Sequence, residues 1–191
     1  MDHQSQWHHQ PPSIRAGRRD KRGADPAMSV RESRVEYQPF PKLTKTFVVE
    51  KVRVGWKDLA WAAANHWLDT KSLVELTDGL AEGDEQLRVA IAIAALDQNE
   101  TVLHAIIDRQ AVSDETPDAT VRERWMRLAV AWLYEHRESV DDPWAVLEGI
   151  WEAFGHAESL NGLIRWMPTP LGGEPGEEGM VERWRTYAEA D

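Results

Sequence analysis

Glu100, His104 and Asp108 are spaced by four, which lines up a carboxylate, an imidazole and a second carboxylate along one helix face. Such a line can supply metal ligands or an acid–base pair. Either centre needs further groups from other helices, and no HExxH or ExxH element occurs in the chain. The plainer reading is a solvated face stabilised by its charge ladder. His66 near Asp69 and Glu152 near His156 fall at helix ends, where His commonly meets terminal carbonyls. Ser113, Ser139 and Ser159 have no His at a telling spacing, and no GxSxG, P-loop or GxGxxG is present. The chain has no Cys, which removes thiolate metal sites, a cysteine nucleophile and disulfides. No catalytic, cofactor-binding or metal-binding residue is therefore assigned, and no cofactor is expected.

The 10 Trp residues are the most unusual feature. Trp56, Trp67, Trp125, Trp132, Trp151 and Trp184 fit helical seams and are expected in the core. Trp61, Trp144 and Trp166 sit less clearly on buried faces. Exposed Trp beside acidic residues makes a good interface anchor. Trp61, Trp144 and Trp166, with Asp141 and Asp142, are accordingly the candidate partner-binding residues. Trp144, directly after Asp141, Asp142 and Pro143, is the best single candidate.

Charge narrows the partner. The formal net charge is -11 and unevenly spread. Residues 1–60 carry 12 Lys and Arg against 7 Asp and Glu, whereas residues 61–191 carry 10 against 26. An acidic body repels nucleic acid, which needs a basic face, and attracts a basic protein. The bland alternative is that the acidity only maintains solubility. No stretch approaches the roughly 20 apolar residues of a membrane span, and the first 30 residues lack the apolar core of a secretory signal. A cytoplasmic protein is expected.

The elements that would position these residues are helical. Residues 1–43 read as a flexible or extended arm, polar to about residue 30 and held extended by Pro39 and Pro41; Met28 offers an alternative start. Residues 44–191 read as a single all-α domain of seven to eight helices, either an irregular bundle or a short stack of antiparallel helical hairpins. Thr46 is the expected cap of a first short helix, although its β-branched run also permits a strand. Trp56, Leu59, Ala60, Ala63, Ala64 and Trp67 share one face, with Lys57 and Asp58 off it. Asp69 or Thr70 caps the next helix. Residues 85–96 are apolar nearly all round, which predicts a helix at the centre of the fold. Asp97 with Glu100 has capping-box spacing. Thr116-Pro117 and Asp142-Pro143 both read as a cap followed by proline at the first helical position. A shorter helix near 158–166, a Pro/Gly loop and a last amphipathic helix complete the chain.

Three stretches resemble the domain-of-unknown-function 2247 family, an all-helical bacterial family. They are Val54-Gly55-Trp56-Lys57-Asp58-Leu59-Ala60-Trp61 with Trp67-Leu68-Asp69 and Leu73-Val74-Glu75-Leu76 after it; Trp132-Leu133-Tyr134-Glu135 leading to Asp142-Pro143; and Arg165-Trp166-Met167-Pro168. The resemblance covers about residues 44–189. It implies a helical fold but no activity, and it carries over no functional residues. Small acidic proteins of this sort also resemble immunity partners of secreted bacterial toxins. That likeness, one of size and charge, suggests a basic, nuclease-type toxin as partner. The alternatives are a helical scaffold or regulatory domain that binds a peptide, and a metal-dependent enzyme using Glu100, His104 and Asp108.

Overall fold

The computed structural model describes residues 42–190. The readings of the arm over residues 1–41 lie outside the described residues. Among those described there are eight α-helices, two 3-10 segments and no strand. The helices are α1 (Lys45–Lys51), α2 (Trp56–Asn65), α3 (Thr70–Leu80), α4 (Glu85–Leu96), α5 (Glu100–Ala111), α6 (Asp118–His136), α7 (Pro143–Ala153) and α8 (Gly176–Glu189). No helix among the described residues is long and apolar enough to cross a membrane.

Local chemistry sets most boundaries. Asp69 caps α3 by accepting from Ser72 N–H at 2.8 Å. Asp142 accepts from Ala145 N–H at 3.0 Å, with Pro143 in the first turn, and Gly155 follows α7 at φ +74°. Other caps shift by a residue or two. Thr44, not Thr46, caps α1, which is a helix. Asn99 caps α5, so Asp97 belongs to the end of α4 and no capping box forms with Glu100. Pro117 rather than Thr116 takes the cap position of α6. The segment Glu158–Leu163 is 3-10, and residues 164–166 lie beyond it.

Helices α2, α3, α4 and α5 pack in sequence, and α5 returns onto α2. Helix α6 then lies against α2 and carries α7 and α8. The two central helices are thus α2 and α6, and the arrangement is an irregular bundle. One continuous apolar core runs from Val48 in α1 to Trp184 in α8.

Two readings are corrected by this arrangement. Helix α4 is not central: it packs on α3 and α5 and buries only Ile91 and Ala94. An apolar composition states that both faces favour burial, and tertiary packing satisfied one of them. On α2, Ala64 is exposed, whereas Asp58 and Trp61 are buried.

Helix α8 is held by a close approach at Gly179, where a Cβ would stand 2.2 Å from the Glu174 carbonyl oxygen. Backbone cannot yield as a side-chain tip would. Gly179→Ala is expected to cost about 1–3 kcal/mol through overpacking, read as a lower urea midpoint. An unchanged midpoint would show that the loop before α8 moves freely.

Candidate functional site

The line Glu100–His104–Asp108 lies on α5 with Glu100 and Asp108 exposed and His104 half-buried. Glu100 accepts a 2.6 Å hydrogen bond from Thr70 Oγ1, which holds its carboxyl below the usual range. Neighbouring atoms that displace water from its carboxyl push Asp108 up, and His104 opposes this. No group of three or more His, Asp or Glu side chains able to hold a metal occurs among the described residues. Glu100 does border a cleft of about 640 Å³ between α3 and the α4–α5 turn, walled by Val74, Ala94 and Leu103. His66 and His156 adopt left-handed backbone at helix ends, φ 57° and 62°, and His156 packs edge-on against Trp151 at 4.2 Å.

The Trp residues divide sharply. Trp67, Trp125, Trp151 and Trp184 are buried, and Trp56 and Trp132 pack half-buried on the core. Trp61 joins the buried set, which corrects its reading as a partner contact. It is 6% exposed, stacked on Trp125 at 5.7 Å and 16°, and edge-on to Trp67 at 4.9 Å. Phe154 closes this cluster at 6.3 Å from Trp61 and 5.8 Å from Trp67. A ring so enclosed offers a partner no surface.

Trp166 is 63% exposed and rests edge-on against Trp151 at 5.3 Å. Asp141 and Asp142 are exposed at the start of α7. Arg165, next to Trp166 in sequence, has its guanidinium 3.9 Å from Asp142 and 3.3 Å from Glu148. Trp144 is half-buried, its ring 5.0 Å from that of Trp184. With Arg165, Met167 and Met180, Trp144 borders a cleft of about 350 Å³. Four of the five candidates thus lie on α7, its start and the segment that follows the 3-10 turn, and Trp166 has most of its surface in water.

The α2–α6 junction holds a buried polar group that the sequence reading set aside. Asp58 is fully buried and accepts from Gly55 N–H at 2.8 Å and from the Arg124 guanidinium, both at Oδ2, while Oδ1 has no partner. Burial pushes the Asp58 carboxyl up, and the Gly55 N–H and Arg124 only partly offset it. From the loop before α6, Asp114 reaches the same helix end and accepts from Lys57 N–H at 3.0 Å and Thr116 N–H at 2.9 Å. Burial alone would raise Asp114; the hydrogen bonds from Thr116 and Lys57 outweigh it and hold the group below its usual range. The Lys57 ammonium donates to the Thr116 carbonyl at 2.7 Å and lies 3.3 Å from Asp118.

These contacts satisfy the N–H groups of Gly55 and Lys57 at the start of α2. They explain Gly55 too, since a Cβ there would sit 2.7 Å from Asp114 Oδ2. The stretch Val54–Trp61 therefore ties α2 to α6. The signal was present as the three-residue spacing from Gly55 to Asp58, at which a carboxylate in the first turn accepts from the backbone N–H of the cap residue.

The model of a family described as an uncharacterized protein conserved in bacteria, DUF2247, matches residues 44–191. No curated protein and no solved structure matches the chain.

Proposed function

The chain belongs to the DUF2247 family, and we propose that its helical body is a non-catalytic module that binds a basic protein. The observation behind this reading is Trp166, 63% exposed and next in sequence to Arg165, whose guanidinium lies 3.9 Å from the exposed Asp142. An exposed Trp is a residue type enriched among interface hot spots. The excess of 26 acidic over 10 basic residues in 61–191 adds long-range attraction for a cationic partner. A secreted nuclease-type toxin, neutralised by blocking its basic site, is the partner that this size and charge suit best. Such blocking needs surface rather than chemistry. The cleft beside Glu100 favours a second reading, a regulatory domain that holds a peptide.

The test is a pull-down from host lysate with the full chain as bait at low and high salt, repeated with Trp166→Ala. One basic protein should be retained at low salt, released at high salt, and lose about 2 kcal/mol of affinity with Trp166→Ala. Retention indifferent to salt and to Trp166, or no retention by a folded bait, would end this reading.

A further inference from the structure

From residue 138 to residue 184 the chain carries ten Asp and Glu and only two Lys or Arg. Those two, Arg165 and Arg183, both line the cleft of about 350 Å³ that Trp144 borders. They differ in what answers their charge. Arg165 meets carboxylates, Asp142 at 3.9 Å and Glu148 at 3.3 Å. Arg183, half-buried on α8, forms no ion pair among the described residues. Its guanidinium donates from Nε to the carbonyl of Gly162, itself part of the lining, at 2.8 Å, and from Nη1 to the Glu174 carbonyl at 2.7 Å. Carbonyls orient a guanidinium without neutralising it, and further N–H donors of the fork are left over.

Apolar side chains supply much of the remaining lining. Trp144, Met167 and Met180 are half-buried along the cleft, and Ile164 is buried. Indole and thioether groups are good contacts for a flat ring. The volume lies at the small end of ligand sites, which run from about 300 to 1,000 Å³. On α8, Glu177, Met180 and Arg183 are spaced by three and share the face that lines the cleft.

We infer that this cleft binds a small organic carboxylate with a planar apolar body. The carboxylate oxygens meet the fork of Arg183, and the body lies against Trp144, Met167 and Met180. A single negative charge suits an acidic protein better than the nearly double charge of a phosphate monoester. Glu177, exposed, stands about 9 Å along the helix from Arg183 and opposes the ligand weakly from there. The ligand is opposite in charge to the basic partner proposed above, so this site stands independently of that reading.

The test follows the indole N–H resonances of the isotope-labelled full chain, with Trp144→Phe identifying the Trp144 signal. Phenylacetate is the probe, phenylacetamide its uncharged counterpart, and acetate the anion without a ring. Phenylacetate should move the Trp144 signal with a dissociation constant on the order of 1 mM, as its size allows. Phenylacetamide, acetate and the Arg183→Gln variant should each bind at least about tenfold more weakly, the loss expected for a charge-assisted hydrogen bond or for the ring contact. Because Arg183 also ties Gly162 to Glu174, a second variant tests the electrostatics without touching that tie. Glu177→Gln should tighten phenylacetate about twofold, whereas Glu178→Gln, in the same first turn but outside the cleft, should not. An unmoved Trp144 signal, equal binding of phenylacetamide, or Arg183→Gln without effect would each overturn the proposal. A loss with Arg183→Gln but no gain with Glu177→Gln would overturn it too, by showing that Arg183 acts only as a tie between backbone segments.

Discussion

Arg124→Ala is expected to destabilise the protein by about 3 kcal/mol at neutral pH, because it leaves the Asp58 carboxylate buried without its counter-charge. The figure sits at the low end for a broken buried pair, since Arg124 keeps 25% of its side chain in water. The loss should depend on pH. Asp58 has a raised value in the folded state, so the native protein holds its proton more tightly than the unfolded chain does. Its stabilising contribution is full below the unfolded value near 3.8 and is lost as pH rises through the higher folded value. Removing Arg124 widens that window upward. The gap in urea midpoint between wild type and Arg124→Ala should therefore shrink as the solution is acidified towards the ordinary carboxylate range. Adding Asp58→Asn to Arg124→Ala should recover part of the loss, because the amide oxygen still accepts from Gly55 without a charge to bury. A gap that stays constant with pH, or a double variant no better than the single, would show that Asp58 is not the group Arg124 serves.

Trp125→Ala should cost more still, about 3–5 kcal/mol as a buried large-to-small change. Trp125 is fully buried, stacks on Trp61, meets Trp67 edge-on at 6.0 Å, and donates from Nε1 to the Asp58 carbonyl at 3.2 Å. The substitution therefore opens a cavity and strands a buried acceptor at the contact between the two central helices. With roughly 2–4 °C of Tm per kcal/mol in a domain of this size, calorimetry should record a fall on the order of 10 °C. Trp166→Ala, at the surface, should stay within about 0.5 kcal/mol of wild type. Similar losses from the two substitutions would contradict the division of Trp residues into core and surface.

What could be read in the sequence was local. The α7 start at Asp142-Pro143 and the α3 cap at Asp69 depend on residues three apart, and both stand where their chemistry puts them. The helical class followed from spacing in the same way. What failed depended on distant partners. Asp58 looks like an exposed helix residue until Arg124, 66 positions later, is known to meet it. Trp61 looks available until Trp125 and Phe154 enclose it. The two-sided apolarity of α4 is plain in its residues, but whether its second face is covered is decided by what packs there. Among the candidates, Trp166 and the Asp141–Asp142 pair were legible as residue types; the pairing of Arg165 with Asp142 and Glu148 was not.

The junction of α2 with α6 also bears on how the protein is made. Asp58 emerges from the ribosome 66 residues ahead of Arg124. At about 5–20 residues per second, α2 waits roughly 3–13 s for the side chains that seal it. Helices α1 to α5 can gather in that interval, but Trp61 and Asp58 stay uncovered until α6 arrives. Nascent chains halted before Arg124 should therefore remain open to protease, and those halted after α6 has cleared the exit tunnel should resist it.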